Sequence, residues 1–269
     1  QADSSACVFV VGATTRTDAD SIREHEVRDT RLPQGASAGV FVYANAARLL
    51  GDRFELHWVE NYACVLGEQP TAQEQLLLGR VVPMVGREAE LAQLVAVVQA
   101  VAADRAPRSA LVLAPPGHGK SRLRFEVLRQ LSASARAPWH LLVRFEPGDR
   151  DAPLAGLARA LRATAGVAFG TARVDQRAQL GALAHQAKLG PAQSTFLASI
   201  IDVADDADET VLALARQSPA MMREGVGDAL RALVLGLAGG GAGVLVLEDA
   251  HWADSAALSI VDDLLVDQE

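Results

Sequence analysis

The run GVLVLED, residues 243–249, constrains the fold more than any other stretch of the chain. It is apolar at successive positions rather than alternate ones, so both of its faces must be covered. That is the condition of a strand inside a parallel sheet layered by helices. Two other runs, SALVLAP and HLLVRFE, read as companion strands upstream of it. Between and around them lie helical patterns. Leu91, Leu94, Val95, Val98 and Val101 recur at three- and four-residue steps, the stripe of an amphipathic helix. A second helix is expected from about Ser121 to Leu131. Residues 153–238 carry several more, separated at Gly166–Gly170, Gly190-Pro191 and Ser218-Pro219, and Gly239–Gly241 ends the last of them. Alternating strands and helices predict an α/β unit with a parallel sheet.

Composition narrows what such a unit does. The chain has 269 residues, half of them apolar but only 4% aromatic, so Leu, Val and Ala must build the core. A formal net charge of −8 argues against direct nucleic-acid binding, which needs clustered Lys and Arg to neutralise phosphates. Cys7 and Cys64 are too few for a disulfide framework or a zinc site, which points to a reducing, cytoplasmic setting. The opening residues QADSSACVFV lack the basic start of a secretory signal. ALVLGLAGGGAGVLVL is about 16 residues, short of the roughly 20 a membrane-spanning helix needs, and glycines break it. No membrane partner is expected. The first residue is Gln rather than Met, so the sequence reads as a piece of a longer protein.

Residues 1–66 read as a small α/β unit. It has a strand at CVFVVG, a polar stretch with a short helix, and then GVFVYANAARLLGDRFEL as strand, helix and extended chain. GEQPTAQEQLLLGRVV, residues 67–82, reads as a linker, and the second unit covers 83–269.

Chemistry concentrates at two places in the second unit. LVLAPPGHGKSRLRFEVL, residues 111–128, reads as strand, tight loop and helix. Consecutive backbone N–H groups in such a loop point inward at a phosphate, and the next helix adds the positive end of its dipole. Gly117 and Gly119 flank His118 after Pro116. Lys120 stands where an ammonium reaches the outer phosphates, and Ser121 where a hydroxyl joins a magnesium shell. The usual first glycine of the pattern is Ala114, at the strand exit and farthest from the phosphates. Arg122 and Arg124 either meet anions or solvate their helix. The second place is the end of GVLVLED. Glu248 and Asp249 sit at the carboxyl end of a buried strand, where open α/β sheets bind ligands. One carboxylate of such a pair holds Mg²⁺ and the other orients the attacking water. By position Glu248 takes the metal and Asp249 the water, with the reverse order left open.

MVGREAELAQL, LVLAPPGHGKSRL and VLVLEDAHWADSAAL together resemble the signal-transduction ATPases with numerous domains (STAND), a branch of the AAA+-related P-loop NTPases. The resemblance covers about residues 83–269. It implies ATP as ligand, Mg²⁺ as cofactor, and slow hydrolysis by Lys120 and Asp249 coupled to a conformational switch. It also implies that Val85, Gly86 and Arg87 lie close to the adenine, and that His251-Trp252 packs the helix after the third strand. Ala114 and Glu248 depart from the family's commoner glycine and aspartate. Residues 1–66 resemble, more distantly, the closing part of a class III nucleotidyl cyclase domain, without that family's metal-binding aspartates. No cyclase activity is expected from this chain.

In the AAA-like branch a further strand lies between the loop strand and the acidic strand. The sequence after VLVLEDAHWAD stops before it, so the resemblance implies a loop strand with both neighbours missing and a sheet incomplete at its C-terminal side. Two functions follow as expectations. One is an ATP-dependent regulatory switch acting on other domains of the parent protein, with assembly into a homo-oligomer as an option. The other is a nucleotide-binding scaffold that does not hydrolyse ATP and uses residues 153–238 as a partner surface.

Overall fold

A β-strand buried on both sides needs two apolar layers, and the chain supplies them. The computed structural model describes residues 6–13, 40–43, 54–59, 62–68, 76–77, 80–81, 84–134, 137–168 and 171–265. It divides into two units, the larger made of residues 1–15, 83–167 and 173–269, the smaller of 16–82 and 168–172.

The larger unit is built on a four-stranded parallel sheet. Its strands are β1 (Ala6–Ala13), β7 (Arg108–Ala114), β8 (Trp139–Arg144) and β9 (Gly243–Glu248), in the order β7-β1-β9-β8. The helices are α1 (Glu88–Asp104), α2 (Lys120–Ser132), α3 (Ala155–Thr164), α4 (Arg173–Gln186), α5 (Pro191–Ile200), α6 (Glu209–Ala215), α7 (Pro219–Ala238) and α8 (Ser255–Leu265). All six residues of β9 are buried, as its unbroken apolar run requires. Val244 and Val246 face a core formed with Leu94, Val98, Leu123 and Val127 of α1 and α2. Leu245 and Leu247 face the other core, with Leu157, Leu161, Leu233 and Ile260. Each such side chain contributes about 1.5–3 kcal/mol when buried, so stripping helices from either face forfeits two of them from this strand alone.

Register fixes what lies at the carboxyl edge. Glu248 pairs with Val11 on one side and Arg144 on the other, and Ala114 pairs with Ala13. The loop strand β7 therefore has a neighbour on the side facing β9, against the expectation of a strand with none. That neighbour is β1, the CVFVVG run, which belongs to the sheet of the larger unit. On the opposite side β7 is an edge among the described residues. Its Leu111 and Leu113 are exposed at 62% and 61%.

Close packing in the helical layer relies on glycine at one decisive point. A Cβ placed on Gly236 of α7 would lie 2.0 Å from the carbonyl oxygen of Ala187, just past the end of α4. That is inside any permissible contact, so the two segments approach only because no side chain intervenes.

The smaller unit holds β2 (Val40–Tyr43), β3 (Phe54–Val59) and β4 (Tyr62–Glu68) as an antiparallel sheet of order β2-β4-β3. The stretch expected as linker carries the two-residue strands β5 (Leu76–Leu77) and β6 (Arg80–Val81), paired as a hairpin. The polar segment with its short helix and the helix over NAARLLG lie outside the described residues.

Candidate nucleotide site

The loop between β7 and α2 closes through its two glycines. Gly117 and Gly119 both have φ of +78°, a region that side chains with a Cβ rarely enter. Gly119 stands at the N-cap of α2, so the first N–H groups of that helix open towards the loop. Lys120 folds back, and its Nζ donates to the carbonyl oxygens of Ala114 (2.8 Å) and Pro115 (3.1 Å). Ala114 thus engages Lys120 through its backbone, which alanine and glycine share. His118 is exposed, with Nδ1 3.1 Å from the Pro116 carbonyl.

The segment before α1 reaches the same loop. Arg87 pairs with Glu90 through Nη1 at 2.9 Å and sends Nη2 to within 3.5 Å of the His118 carbonyl. Gly86, at φ +77°, donates its N–H to Glu88 Oε1 at 3.0 Å, and Val85 is 80% exposed. A groove of about 340 Å³ runs here, lined by Arg87, Glu90, Gln93, His118 and Lys120 among others. A larger hollow of about 750 Å³ is lined by Gln99, Arg105, Ala133 and Gly239–Ala242, none of them in the loop.

Ser121 and Glu248, 127 positions apart in sequence, come together: the serine hydroxyl lies near enough to the glutamate carboxylate to favour its charged form. Glu248 is 2% exposed and has two more partners. Arg124 Nε donates to Oε1 at 3.2 Å, while Arg144 donates to Oε2 from Nε at 3.0 Å and Nη2 at 2.8 Å. Burial pushes the Glu248 pKa up. The guanidiniums of Arg124 and Arg144 outweigh that and, with the hydrogen bonds from Ser121 and Arg144, hold it below the ordinary carboxylate range. Burial lowers the Arg124 pKa, against the pull of Glu248.

Asp249 differs. It takes the left-handed conformation, φ 55° and ψ 39°, at the start of a 3-10 turn over Ala250–Trp252. Its side chain is half-buried and enters no ion pair among the described residues. The carboxylate expected to hold metal is therefore engaged by arginines, and the open one is its neighbour. Arg122, expected near phosphate, pairs with Glu126 at 2.6 Å and lies over the Phe125 ring.

Four participants escaped the sequence reading. Arg144 was read only as part of a strand, and Asp149, Arg159 and Asp254 were given no role. Asp149 accepts from Arg159 and from the Glu146 N–H, closing a 3-10 turn over Pro147–Asp151. Asp254 is 5% exposed and accepts from the N–H groups of Ala257 and Leu154. The latter ties the chain after β8 to the chain after β9. Asp254 stands one residue before α8 with a partner three residues on, an N-cap pattern readable in ADSAA.

Among the described residues no three His, Cys, Asp or Glu side chains cluster to hold a metal on their own, and no helix is long and apolar enough to cross a membrane. The family described as the AAA ATPase domain matches residues 83–269. No curated protein and no solved structure matches the chain.

Proposed function

Because the chain belongs to the AAA ATPase domain family, we propose that it is the ATP-binding and slowly hydrolysing switch of a larger cytoplasmic regulator of the STAND branch. The observation that carries this reading is the contact between Ser121 and Glu248, which joins the phosphate loop to the acidic strand end. Lys120 trades the carbonyls of Ala114 and Pro115 for the outer phosphates. Pro116, Gly117, His118, Gly119 and Arg122 surround them, and Val85, Gly86 and Arg87 flank the base. Ser121 and Glu248 offer hard oxygen donors suited to Mg²⁺, with Asp249 as the alternative. Such an ion, when bound, neutralises charge developing on the phosphates. Asp249 orients the attacking water. Different affinities of two conformations for ATP and ADP drive the switch and the attached domains.

The expected cyclase-like unit over 1–66 loses its first strand, because β1 belongs to the sheet of the larger unit; in this reading the rest, joined through 67–82, is a cyclase-like remnant that brings no catalysis of its own. One observation favours the scaffold as a second reading: both oxygens of Glu248 already accept from guanidiniums.

Titration with a fluorescent ATP analogue and Mg²⁺ tests the site. A charge-assisted bond to phosphate contributes about 1.5–3 kcal/mol, so Lys120→Ala should weaken binding roughly 10- to 150-fold. Equal affinity in both proteins would remove the loop from the site. Asp249→Asn then separates the readings: a switch retains ATP and loses hydrolysis, whereas a scaffold has no turnover to lose.

A further inference from the structure

We infer that Arg150 is a positioning residue that sets the orientation of Asp249 from outside the site. This rests on the reading of Asp249 as the group that orients water. Arg150 belongs to the 3-10 turn after β8, and Asp249 leads into the one after β9. The Arg150 guanidinium grips that second turn twice. Nε and Nη2 both donate to the carbonyl oxygen of His251, at 3.1 and 2.6 Å, and the guanidinium carbon lies 5.1 Å over the Trp252 ring. The Trp252 ring in turn packs on His251, centroids 4.9 Å apart.

The grip matters because of the backbone it acts on. Asp249 sits in the left-handed region, which residues with a Cβ adopt uncommonly, so the turn that follows it needs to be held. Its own carbonyl is bound from within the turn, by the Trp252 N–H at 2.9 Å. Further along, Asp254 anchors the chain by bonds to Leu154 and Ala257. Between these points, Arg150 holds the middle of the turn. Release of His251 and Trp252 lets the turn relax and carries the Asp249 carboxylate away from its aim. A buried anchor would make this hard to test, since removing it would harm the whole fold. Arg150 is exposed, so its loss spares the core.

The experiment compares wild type, Arg150→Ala and Arg150→Lys in the full chain, measuring ATP turnover, affinity for a fluorescent ATP analogue, and thermal stability. Small misplacements of a catalytic group cost up to about 100-fold, so Arg150→Ala should lower kcat about tenfold or more while affinity stays within about twofold. Arg150→Lys keeps the charge but loses the paired donors, so it should fall between the two. That separates positioning from a charge effect, in which lysine would restore the full rate. The proposal is overturned by unchanged kcat in Arg150→Ala, by full rescue in Arg150→Lys, or by affinity and melting temperature falling together with kcat. A wild-type chain that binds ATP without turnover overturns the reading of Asp249, and this role with it. Turnover that survives Arg150→Ala overturns the role alone.

Discussion

Among the carboxylates buried against arginine, Asp208 and Glu248 are balanced differently. Asp208, just ahead of α6, accepts from Arg177 at 2.6 Å, from the hydroxyl of Thr195 and from the Asp205 N–H at 3.0 Å. Arg177 also reaches Asp205, so two carboxylates share one guanidinium there. Glu248 faces two guanidiniums with one charge of its own. The first cluster joins helices in a layer remote in sequence from the loop; the second stands at the strand edge where ligands bind. The first cluster is left with a negative charge in excess and the second with a positive one, the sign that suits a phosphate.

The contrast breaks most sharply at Glu248. Glu248→Gln leaves two arginines facing no charge, and breaking a buried pair from one side costs roughly 3–5 kcal/mol, read by urea denaturation. A loss below about 1 kcal/mol would mean that water already screens the pair. Asp208→Asn should cost less, about 2–4 kcal/mol, because Arg177 is a third exposed. It should leave nucleotide affinity unchanged.

Asp208 also sets a pH dependence. Burial raises its pKa, but Thr195, Arg177 and the Asp205 N–H lower it from 3.8 to about 2. The folded value lies below the unfolded one, so the unfolded state binds more protons in this window. The contribution, about 2 kcal/mol, is complete above about pH 4 and disappears as pH falls through about 2. The acid limb of the stability profile should flatten in Asp208→Asn.

The smallest effect sharpens the comparison. Arg144→Ala restores a one-to-one pair of Arg124 with Glu248 and removes a side chain 32% exposed, so it should cost only about 1 kcal/mol. A loss as large as that of Glu248→Gln would show that both arginines are needed to hold the carboxylate.

Much of this was legible beforehand. The unbroken GVLVLED run demanded two covering layers, and both are present. GHGKS located the loop because its glycines must take positive φ. Arg124 could have been found: it shares the spacing of Leu123, Val127, Leu128 and Leu131, so it falls in the buried stripe of its helix rather than on the wet side. Strand order was not legible, because periodicity says that a strand is covered but not which strand lies beside it. Hence neither β1 next to β7 nor Arg144 opposite Glu248 could be foreseen. Arg150 was hidden for another reason. An exposed arginine in PGDRD looks like any solvated turn residue until the turn it holds is in view.

Gly236 carries a consequence for how this sequence can drift. Where it meets the Ala187 carbonyl the clearance is that of a single hydrogen atom, and the obstacle is backbone, which no rotamer change can move aside. Nineteen alternatives at that codon are closed at once, alanine included, whatever their polarity or helix preference. Homologous chains should therefore vary freely across the wet faces of α4 and α7 yet return to glycine at this crossing, making it a sequence marker for the helical layer independent of the nucleotide motifs.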